Sequence, residues 1–340
     1  MTHSNSGNSA SRPNLFRFAT SELSQDAFIA WLLAWGDDGY ADQHAQLHGL
    51  GSRLLRRLAH TPGRRLPSNF KVKVERQVKQ IDVAVLINDN LVLLIEDKTG
   101  TTHHSNQLQR YQQAAKQHRP NRRQVCVYFK TGEESAQIHL PPGWKPFYRP
   151  QFLETLHTGA HIKNEILRDF TDHLETIEDE VTACEHTSIA DWGDNPRAWR
   201  GFFNRIQQGL GEGHWDYVDN PKGGFMGFWW GGRVVDGTAI YLQLQQDVLQ
   251  AKISLEKKPR SERAPERERW SAAVINGPGK ARFKRPPRMG SGASMTIAES
   301  VAGDYRAVYE DGVVNVPATV KRLKAAMRYL QASVDAELGG

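Results

Sequence analysis

Two short apolar runs lie close together in the first third of the chain, at residues 83–87 and 91–95, and Asn88-Asp89-Asn90 separates them. Both runs are rich in Val, Ile and Leu, and turn-forming residues stand between them, which predicts a β-hairpin. Because nearly every position in the two runs is apolar, we expect both faces of both strands to be buried. The hairpin should therefore lie inside a sheet that is covered on both sides.

The neighbouring segments alternate between helical and strand-like patterns. Segment 70–77 alternates apolar and polar residues, and segment 123–130 is a continuous apolar run, so each predicts a strand. We expect residues 141–150 to form an irregular link. Four segments carry apolar residues at helical spacing: 20–33, 42–58, 105–118 and 162–181. This part of the chain is predicted to be an α/β sheet flanked by helices, with an α-β-β-β-α-β order.

A second domain is predicted from about residue 190, because Asp191-Trp192-Gly193-Asp194-Asn195-Pro196 reads as a boundary and Pro196 suits the first position of a helix. Strands are expected near 239–245 and 248–255, and a last helix over 316–338. Glycines alternate with aromatic residues at 223–232, which indicates packed strands; a core role is favoured over a base-stacking platform. We expect a smaller α+β domain whose role the sequence does not reveal.

Between these strands and the last helix, residues 257–288 hold eleven Lys and Arg against three Glu. The stretch also contains Pro278-Gly279 and Pro286-Pro287, so we predict a basic loop. Such a loop can contact phosphates, and a purely solvated loop is almost equally compatible with the pattern. The residues proposed to contact nucleic acid are Lys280, Arg282, Lys284, Arg285 and Arg288.

Composition narrows the classes of protein only modestly. The chain has 340 residues, a net charge of +6 and a pI of about 9.2, which suits a polyanionic partner. No apolar run is long enough for a transmembrane helix, and residues 1–14 read as a disordered tail rather than a secretory signal. Two unpaired cysteines, Cys126 and Cys184, argue against a Cys-based zinc site. We therefore expect a cytoplasmic protein without a membrane partner.

Three ionisable residues stand at the ends of the apolar hairpin strands: Asp82, Glu96 and Lys98. If the turn is three residues centred on Asp89, then Asp82 lies directly across from Glu96, with Cβ atoms about 5 Å apart. Glu96 and Lys98 are two residues apart on one strand and share a face. Charges gathered at a buried edge are costly without a partner, so a divalent metal ion is expected there.

These residues resemble the PD-(D/E)XK nuclease superfamily, whose motif is an Asp on one strand followed by Asp/Glu-x-Lys on the next. Here the motif residues are Asp82 and Glu96-Asp97-Lys98. The helix from Glu22 to Leu33 and the Gln107-x-x-x-Tyr111 pair resemble elements of a prokaryotic branch of the superfamily. The resemblance covers roughly residues 15–180, and the nuclease domain is expected over 15–185. It implies a restriction-endonuclease-like core, a central mixed sheet flanked by helices.

The resemblance also implies roles for individual residues. Asp82, Glu96, the backbone carbonyl of Asp97 and the further ligand Glu22 would hold Mg²⁺ or Mn²⁺. Lys98 would orient the attacking water and stabilise the transition state, and Gln107 and Tyr111 would border the active site.

Other ionisable residues near the motif leave alternatives open. Asp26 is a second candidate at the first helix. A surface role is favoured for Glu75 and for the adjacent His103 and His104.

The implied activity is that of a divalent-metal-dependent nuclease that hydrolyses phosphodiester bonds, with DNA favoured over RNA and with phage defence or repair as the setting. The alternative is a non-cleaving nucleic-acid-binding or sensor protein built on a nuclease fold. A homodimer is compatible with the sequence.

Overall fold

The computed structural model describes residues 12–78, 80–100, 106–135, 140–220, 223–280 and 282–339, which form two compact units. The first unit contains the described residues up to Glu133 and residues 140–178. The second contains Glu134, Ser135 and the described residues from Asp179 onward. The domain limits expected from the sequence were 15–185 and 190–340.

The predicted tail over residues 1–14 falls mostly outside the described residues. Its last three residues are part of the first unit, since Arg12 forms ion pairs with Glu165 and Asp169. Asn14 is buried and donates a hydrogen bond to the backbone carbonyl of Asp169 at 2.7 Å. Residues 12–14 therefore belong to the folded unit rather than to a tail.

The first unit has five α-helices and five strands among its described residues. The helices are α1 (Glu22–Ala34), α2 (Ala45–Leu58), α3 (Gln107–His118), α4 (Arg149–His157) and α5 (Glu165–Thr182). The strands are β1 (Val72–Val78), β2 (Ile81–Ile87), β3 (Leu91–Lys98), β4 (Arg123–Lys130) and β5 (Trp144–Tyr148). They form one mixed sheet in the order β1-β2-β3-β4-β5, antiparallel from β1 to β3 and parallel from β3 to β5.

The predicted hairpin is confirmed, with a turn of three residues between β2 and β3. Ile87 pairs with Leu91 and Val83 with Ile95, so the same register brings Asp82 opposite Glu96. Asn88 and Asp89 adopt φ angles of 47° and 54°, a left-handed conformation that Asn and Asp tolerate better than other non-glycine residues.

The sheet is buried on both faces, as the apolar runs predicted. One face packs against α1, α2, α4 and α5, and the other packs against α3 through Leu108, Tyr111 and Ala115. Cys126 belongs to the α3 face and is 1 % exposed, which confirms it as a buried apolar residue. The open end of the hairpin, which carries the candidate residues, therefore lies between the two helical layers.

The irregular link predicted over 141–150 is wrong, because this region contains β5 and the beginning of α4. Pro146 by itself disfavours a strand in this segment, since proline cannot donate a hydrogen bond to a neighbouring strand. However, β5 is the last strand in the sheet order, and among the described strands only β4 pairs with it. An edge strand tolerates a proline whose missing N–H would point away from the sheet.

The second unit contains one antiparallel sheet and three α-helices among its described residues. The strands are β6 (His214–Val218), β7 (Phe225–Val235), β8 (Thr238–Gln245), β9 (Val248–Ser254), β10 (Phe283–Lys284) and β11 (Ser294–Ser300), in the order β10-β11-β9-β8-β7-β6. The helices are α6 (Pro196–Leu210), α7 (Arg263–Ile275) and α8 (Val316–Gly339). The α+β prediction is therefore confirmed.

The aromatic residues of the second unit mostly build its core. Trp215, Phe228 and Trp230 are at most 5 % exposed and belong to the same apolar cluster as α6 and α8. This placement confirms a packing role over a base-stacking platform for these three side chains. Among the described residues, every helix is too short or too polar to traverse a lipid bilayer.

The prediction of one continuous basic loop over 257–288 is also wrong. The segment contains α7 and the short strand β10. Trp270 and Val274 of α7 are fully buried, whereas Arg263 and Arg267 of the same helix are half-buried and Arg269 is exposed. Several charges are also paired, as in the contacts of Arg267 and Arg285 with Glu268 at 2.9 and 3.0 Å.

Candidate active site

Asp82, near the start of β2, and Glu96, near the end of β3, meet at the open end of the hairpin, opposite its turn. The Asp82 carboxylate accepts a hydrogen bond from the backbone N–H of Asp97 at 2.9 Å, so a side chain continues the pairing where the ladder between β2 and β3 ends. This hydrogen bond fixes Asp82 beside the strand that carries Glu96 and Lys98. Asp82 is half-buried, whereas Glu96 is 1 % exposed.

Glu96 is held firmly through one oxygen and not through the other. Its Oε1 accepts hydrogen bonds from Lys98 Nζ at 2.8 Å and from Gln107 Nε2 at 3.0 Å. Its Oε2 is buried and accepts no hydrogen bond from any described residue. Burial, and then the negative charge of Asp82, raise the pKa of Glu96 from its ordinary 4.5 to about 7. Lys98 alone therefore does not supply enough positive charge to offset the burial of an ionised Glu96 and its repulsion from Asp82.

Lys98 lies within the same cluster, and its side chain is 10 % exposed. Nζ donates to Glu96 and, at 3.0 Å, to the backbone carbonyl of Asp97, and it lies 3.9 Å from Glu22 Oε2. Burial alone lowers the pKa of Lys98, but the hydrogen bond and the charge of Glu96 outweigh burial, so the pKa is raised. The ammonium group is therefore charged at neutral pH and fixed in position.

The Gln107–Tyr111 pair on α3 supports Glu96 from the other side. Gln107 Nε2 donates to both Glu96 Oε1 at 3.0 Å and the hydroxyl of Tyr111 at 2.7 Å. Tyr111 is 8 % exposed, and the two residues are one helical turn apart. These contacts let α3 set the orientation of the Glu96 carboxylate.

Glu22 begins α1 and lies at the border of the cluster. Its Oε1 accepts hydrogen bonds from the backbone N–H of Thr99 at 3.1 Å and from the Thr99 hydroxyl at 3.3 Å. The carboxylate thus holds the residue that follows Lys98. The structure brings Glu22 close to Lys98 but, among the described residues, does not group it with Asp82 and Glu96 as a set of three carboxylates.

A second pair of carboxylates, which the sequence did not single out as a pair, lies on the α1 face of the hairpin. Asp26 and Asp97 are each 1 % exposed, and each has one oxygen without a hydrogen-bond partner among the described residues. Burial, and then the charge of Asp82, raise the pKa of Asp26 to about 6. Burial and the charge of Asp26 raise the pKa of Asp97 well above its usual value.

Two glutamines connect this second pair to its surroundings. Gln25 Nε2 donates to Asp97 Oδ1 at 2.6 Å, and Gln25 Oε1 accepts from the hydroxyl of Thr131 at 2.8 Å. Gln77 Nε2 lies 3.3 Å from Asp26 Oδ2 and 3.4 Å from Asp82 Oδ1. Gln77 therefore connects the two carboxylate pairs. Its backbone adopts a φ of 54°, which no sequence pattern predicts.

Once this geometry is established, comparison with known families becomes informative. A model of the PD-(D/E)XK nuclease superfamily matches residues 13–195, more than half of the chain. The chain belongs to this superfamily. The five-stranded mixed sheet flanked by helices agrees with its restriction-endonuclease-like fold. The chain matches no curated protein and no solved structure.

Membership in the PD-(D/E)XK superfamily indicates a nuclease that uses a divalent metal ion, and the residues present fit such an ion. Asp82 and Glu96 offer the hard oxygen ligands that Mg²⁺ and Mn²⁺ prefer. A cation at this position would partner the orphan Oε2 of Glu96 and offset the repulsion from Asp82. Among the described residues, no three His, Cys, Asp or Glu side chains form a metal-binding group, so backbone oxygen and water have to complete the coordination.

The remaining candidates occupy other environments. Glu75 forms ion pairs with Lys73 and Arg119, as expected for a surface residue. His103 and His104 lie outside the described residues. The sequence pointed to one member of the Asp26–Asp97 pair, because Asp26 lies four residues after Glu22. No local pattern relates Asp26 to Asp97, which is distant in the chain.

Proposed function

We propose that the first unit hydrolyses phosphodiester bonds of nucleic acid with Mg²⁺ or Mn²⁺, and that DNA is preferred over RNA. The observation that supports this most strongly is the arrangement of Asp82, Glu96 and Lys98 at the end of one buried hairpin, in a chain of the PD-(D/E)XK superfamily. Asp82, Glu96 and the Asp97 carbonyl would hold the ion. The ion would lower the pKa of a bound water and screen the charge of the phosphate.

Lys98 has the geometry of an electrostatic catalyst. Its ammonium group is fixed by Glu96 and by the Asp97 carbonyl, so little reorganisation is needed when negative charge develops on a phosphate beside it. The hydrogen bond to Glu96 uses only one of its three N–H donors, and the carbonyl uses a second. The third donor can orient a water or contact a phosphate oxygen.

Gln107 and Tyr111 are proposed as positioning residues, since both act through Glu96. Removing the Gln107 amide would leave the Glu96 carboxylate with only Lys98 on Oε1. The carboxylate could then rotate, which would weaken the hold on the ion without removing a ligand. Glu22 is proposed to act in a similar way, by fixing Thr99 next to Lys98.

The second unit is proposed to contact the phosphate backbone through five exposed side chains. These are Lys280, Arg282, Lys284, Arg285 and Arg288. The chain carries a net charge of +6, which supports a polyanionic substrate. A nuclease unit joined to a second unit suits a setting in which cleavage is controlled, and we propose phage defence or repair as that setting.

A cleavage assay on single- and double-stranded DNA and RNA, with Mg²⁺, Mn²⁺ or EDTA, tests the proposal. We expect cleavage of DNA only with metal, and a loss of about 10²- to 10³-fold in the rate for Lys98→Ala. Lys163→Ala, which removes an exposed lysine of the same unit, is the matched control and should cleave normally. Metal-independent cleavage, or equal rates for the two variants, would contradict the proposal.

A further inference from the structure

The second unit encloses a cavity of about 650 Å³ between the β10–β11 edge of its sheet and α8. This volume lies within the range of about 300–1,000 Å³ that is typical of small-molecule sites. Much of the wall is apolar, with Leu249 and Phe283 from the strands and Leu323 and Ala326 from α8. The cavity can therefore cover the apolar body of a small organic molecule.

Three cationic side chains line the same cavity: Lys280, Arg282 and Arg322. Lys280 and Arg282 come from the segment that leads into β10, and Arg322 comes from α8, so the charges converge from two elements. Neither the Lys280 side chain nor the Arg282 side chain has a hydrogen-bonding or ion-pair partner among the described residues, although the Arg282 backbone carbonyl accepts a hydrogen bond from Val301 N–H at 2.8 Å. Arg322 Nη1 donates to the carbonyl of Arg306 at 2.5 Å, which leaves the other N–H groups of its guanidinium available.

The acidic residue in the lining, Asp304, does not balance these charges. Arg306 already pairs with it through two contacts, from Nε to Oδ1 at 2.9 Å and from Nη2 to Oδ2 at 2.8 Å. The guanidinium of Arg306 also lies over the rings of Trp199 and Tyr305, which holds it in place. The cavity therefore carries an excess of positive charge.

We propose that this cavity binds a nucleoside phosphate. Lys280, Arg282 and Arg322 contact the phosphate, and the base and sugar cover the apolar wall. A phosphate alone would leave the apolar wall bare, and an uncharged nucleoside would leave the three cations without a counter-charge. The site belongs entirely to the second unit and does not depend on the nuclease activity proposed for the first.

Isothermal titration of the full-length protein with AMP in EDTA tests the proposal, with adenosine and inorganic phosphate as partial ligands. AMP should bind with 1:1 stoichiometry, and both partial ligands should bind more weakly. Arg282→Ala should weaken AMP binding by about tenfold or more, because it removes a charge-assisted hydrogen bond to the phosphate. Arg322→Ala, which removes the cation contributed by α8, should weaken it by a similar factor.

The variants are chosen so that folding does not confuse the result. Arg282 and Arg322 are both exposed, so neither change should lower the melting temperature much. Lys321→Ala is the matched control: its side chain is exposed, lies next to Arg322 on α8 and does not line the cavity. It should bind AMP normally.

A 5′-phosphorylated tetranucleotide that competes with AMP would identify the end of a nucleic acid as the source of the ligand, and a failure to compete would identify a free nucleotide. The proposal is overturned if wild type shows no saturable binding of AMP at millimolar concentration. It is equally overturned if AMP binds but Arg282→Ala and Arg322→Ala leave its affinity unchanged.

Discussion

Glu96→Gln should make the metal-free protein more stable at pH 8, although it removes a proposed metal ligand. In the unfolded chain Glu96 ionises near its ordinary pKa of 4.5, whereas in the folded chain its pKa is about 7. A pKa difference of one corresponds to 1.36 kcal/mol, so ionising the folded residue costs on the order of 3 kcal/mol. The attraction of Lys98 is already included in that pKa, and its loss adds no further cost.

The sign of the effect follows from the raised pKa. Below about pH 4.5 Glu96 is protonated in both states, and it costs nothing. As the pH rises from 4.5 to 7 the unfolded chain loses this proton first, so the stability of the folded metal-free protein falls, and it stays low above pH 7. A neutral Gln at this position removes that fall. The raised pKa values of Asp26 and Asp97 should leave a smaller pH dependence in the variant.

Urea unfolding in EDTA at pH 5 and pH 8 measures this difference, and amide hydrogen exchange of β2 and β3 locates it in the first unit. We expect wild type and Glu96→Gln to be similar at pH 5, and the variant to be more stable at pH 8 by up to about 3 kcal/mol. Glu154→Gln, which changes an exposed carboxylate on α4, is the control and should track wild type at both pH values. Equal pH dependence in wild type and Glu96→Gln would refute the reasoning.

Other substitutions test separate parts of the account. Asp82→Asn should weaken Mn²⁺ binding in calorimetric titration, because the site loses one negative charge; unchanged affinity would place the ion elsewhere. Arg149→Met should lower stability by about 1–3 kcal/mol in urea unfolding, since it removes the buried guanidinium that pairs with Glu133 and Glu178 and donates to the Thr131 carbonyl; a decrease below about 0.5 kcal/mol would argue against this role. Replacing Lys284, Arg285 and Arg288 by Ala should make the affinity for duplex DNA less dependent on salt. The slope of log affinity against log salt should become shallower by about 0.9 for each phosphate that is no longer neutralised. An unchanged slope would mean that these side chains are only solvated.

The features that sequence could predict are those set by local pattern. The hairpin was predictable because two apolar runs flank Asn88-Asp89-Asn90, and its register follows from a turn of three residues. That register also places Asp82 opposite Glu96, so the centre of the candidate site follows from the sequence alone. Gln107 and Tyr111 share a helix face for the same local reason.

The features that sequence missed depend on contacts between distant segments. Asp26 and Asp97 meet only because α1 packs across the end of β3, and neither residue carries a local signal of the other. Strand β5 was missed because its edge position, which tolerates Pro146, is a property of the whole sheet. In α7 the many charged residues hid a narrow apolar face formed by Trp270 and Val274.

The central claim is that the hairpin end holds a catalytic divalent ion, and anomalous diffraction from crystals soaked in Mn²⁺ tests it most directly. The account predicts a Mn²⁺ peak in contact with carboxylate oxygens of both Asp82 and Glu96, including the Glu96 Oε2 that has no partner among the described residues. The same soak of Glu96→Gln crystals should show a weaker peak or none. A peak that touches neither carboxylate, or no peak in wild type at saturating Mn²⁺, would contradict the claim.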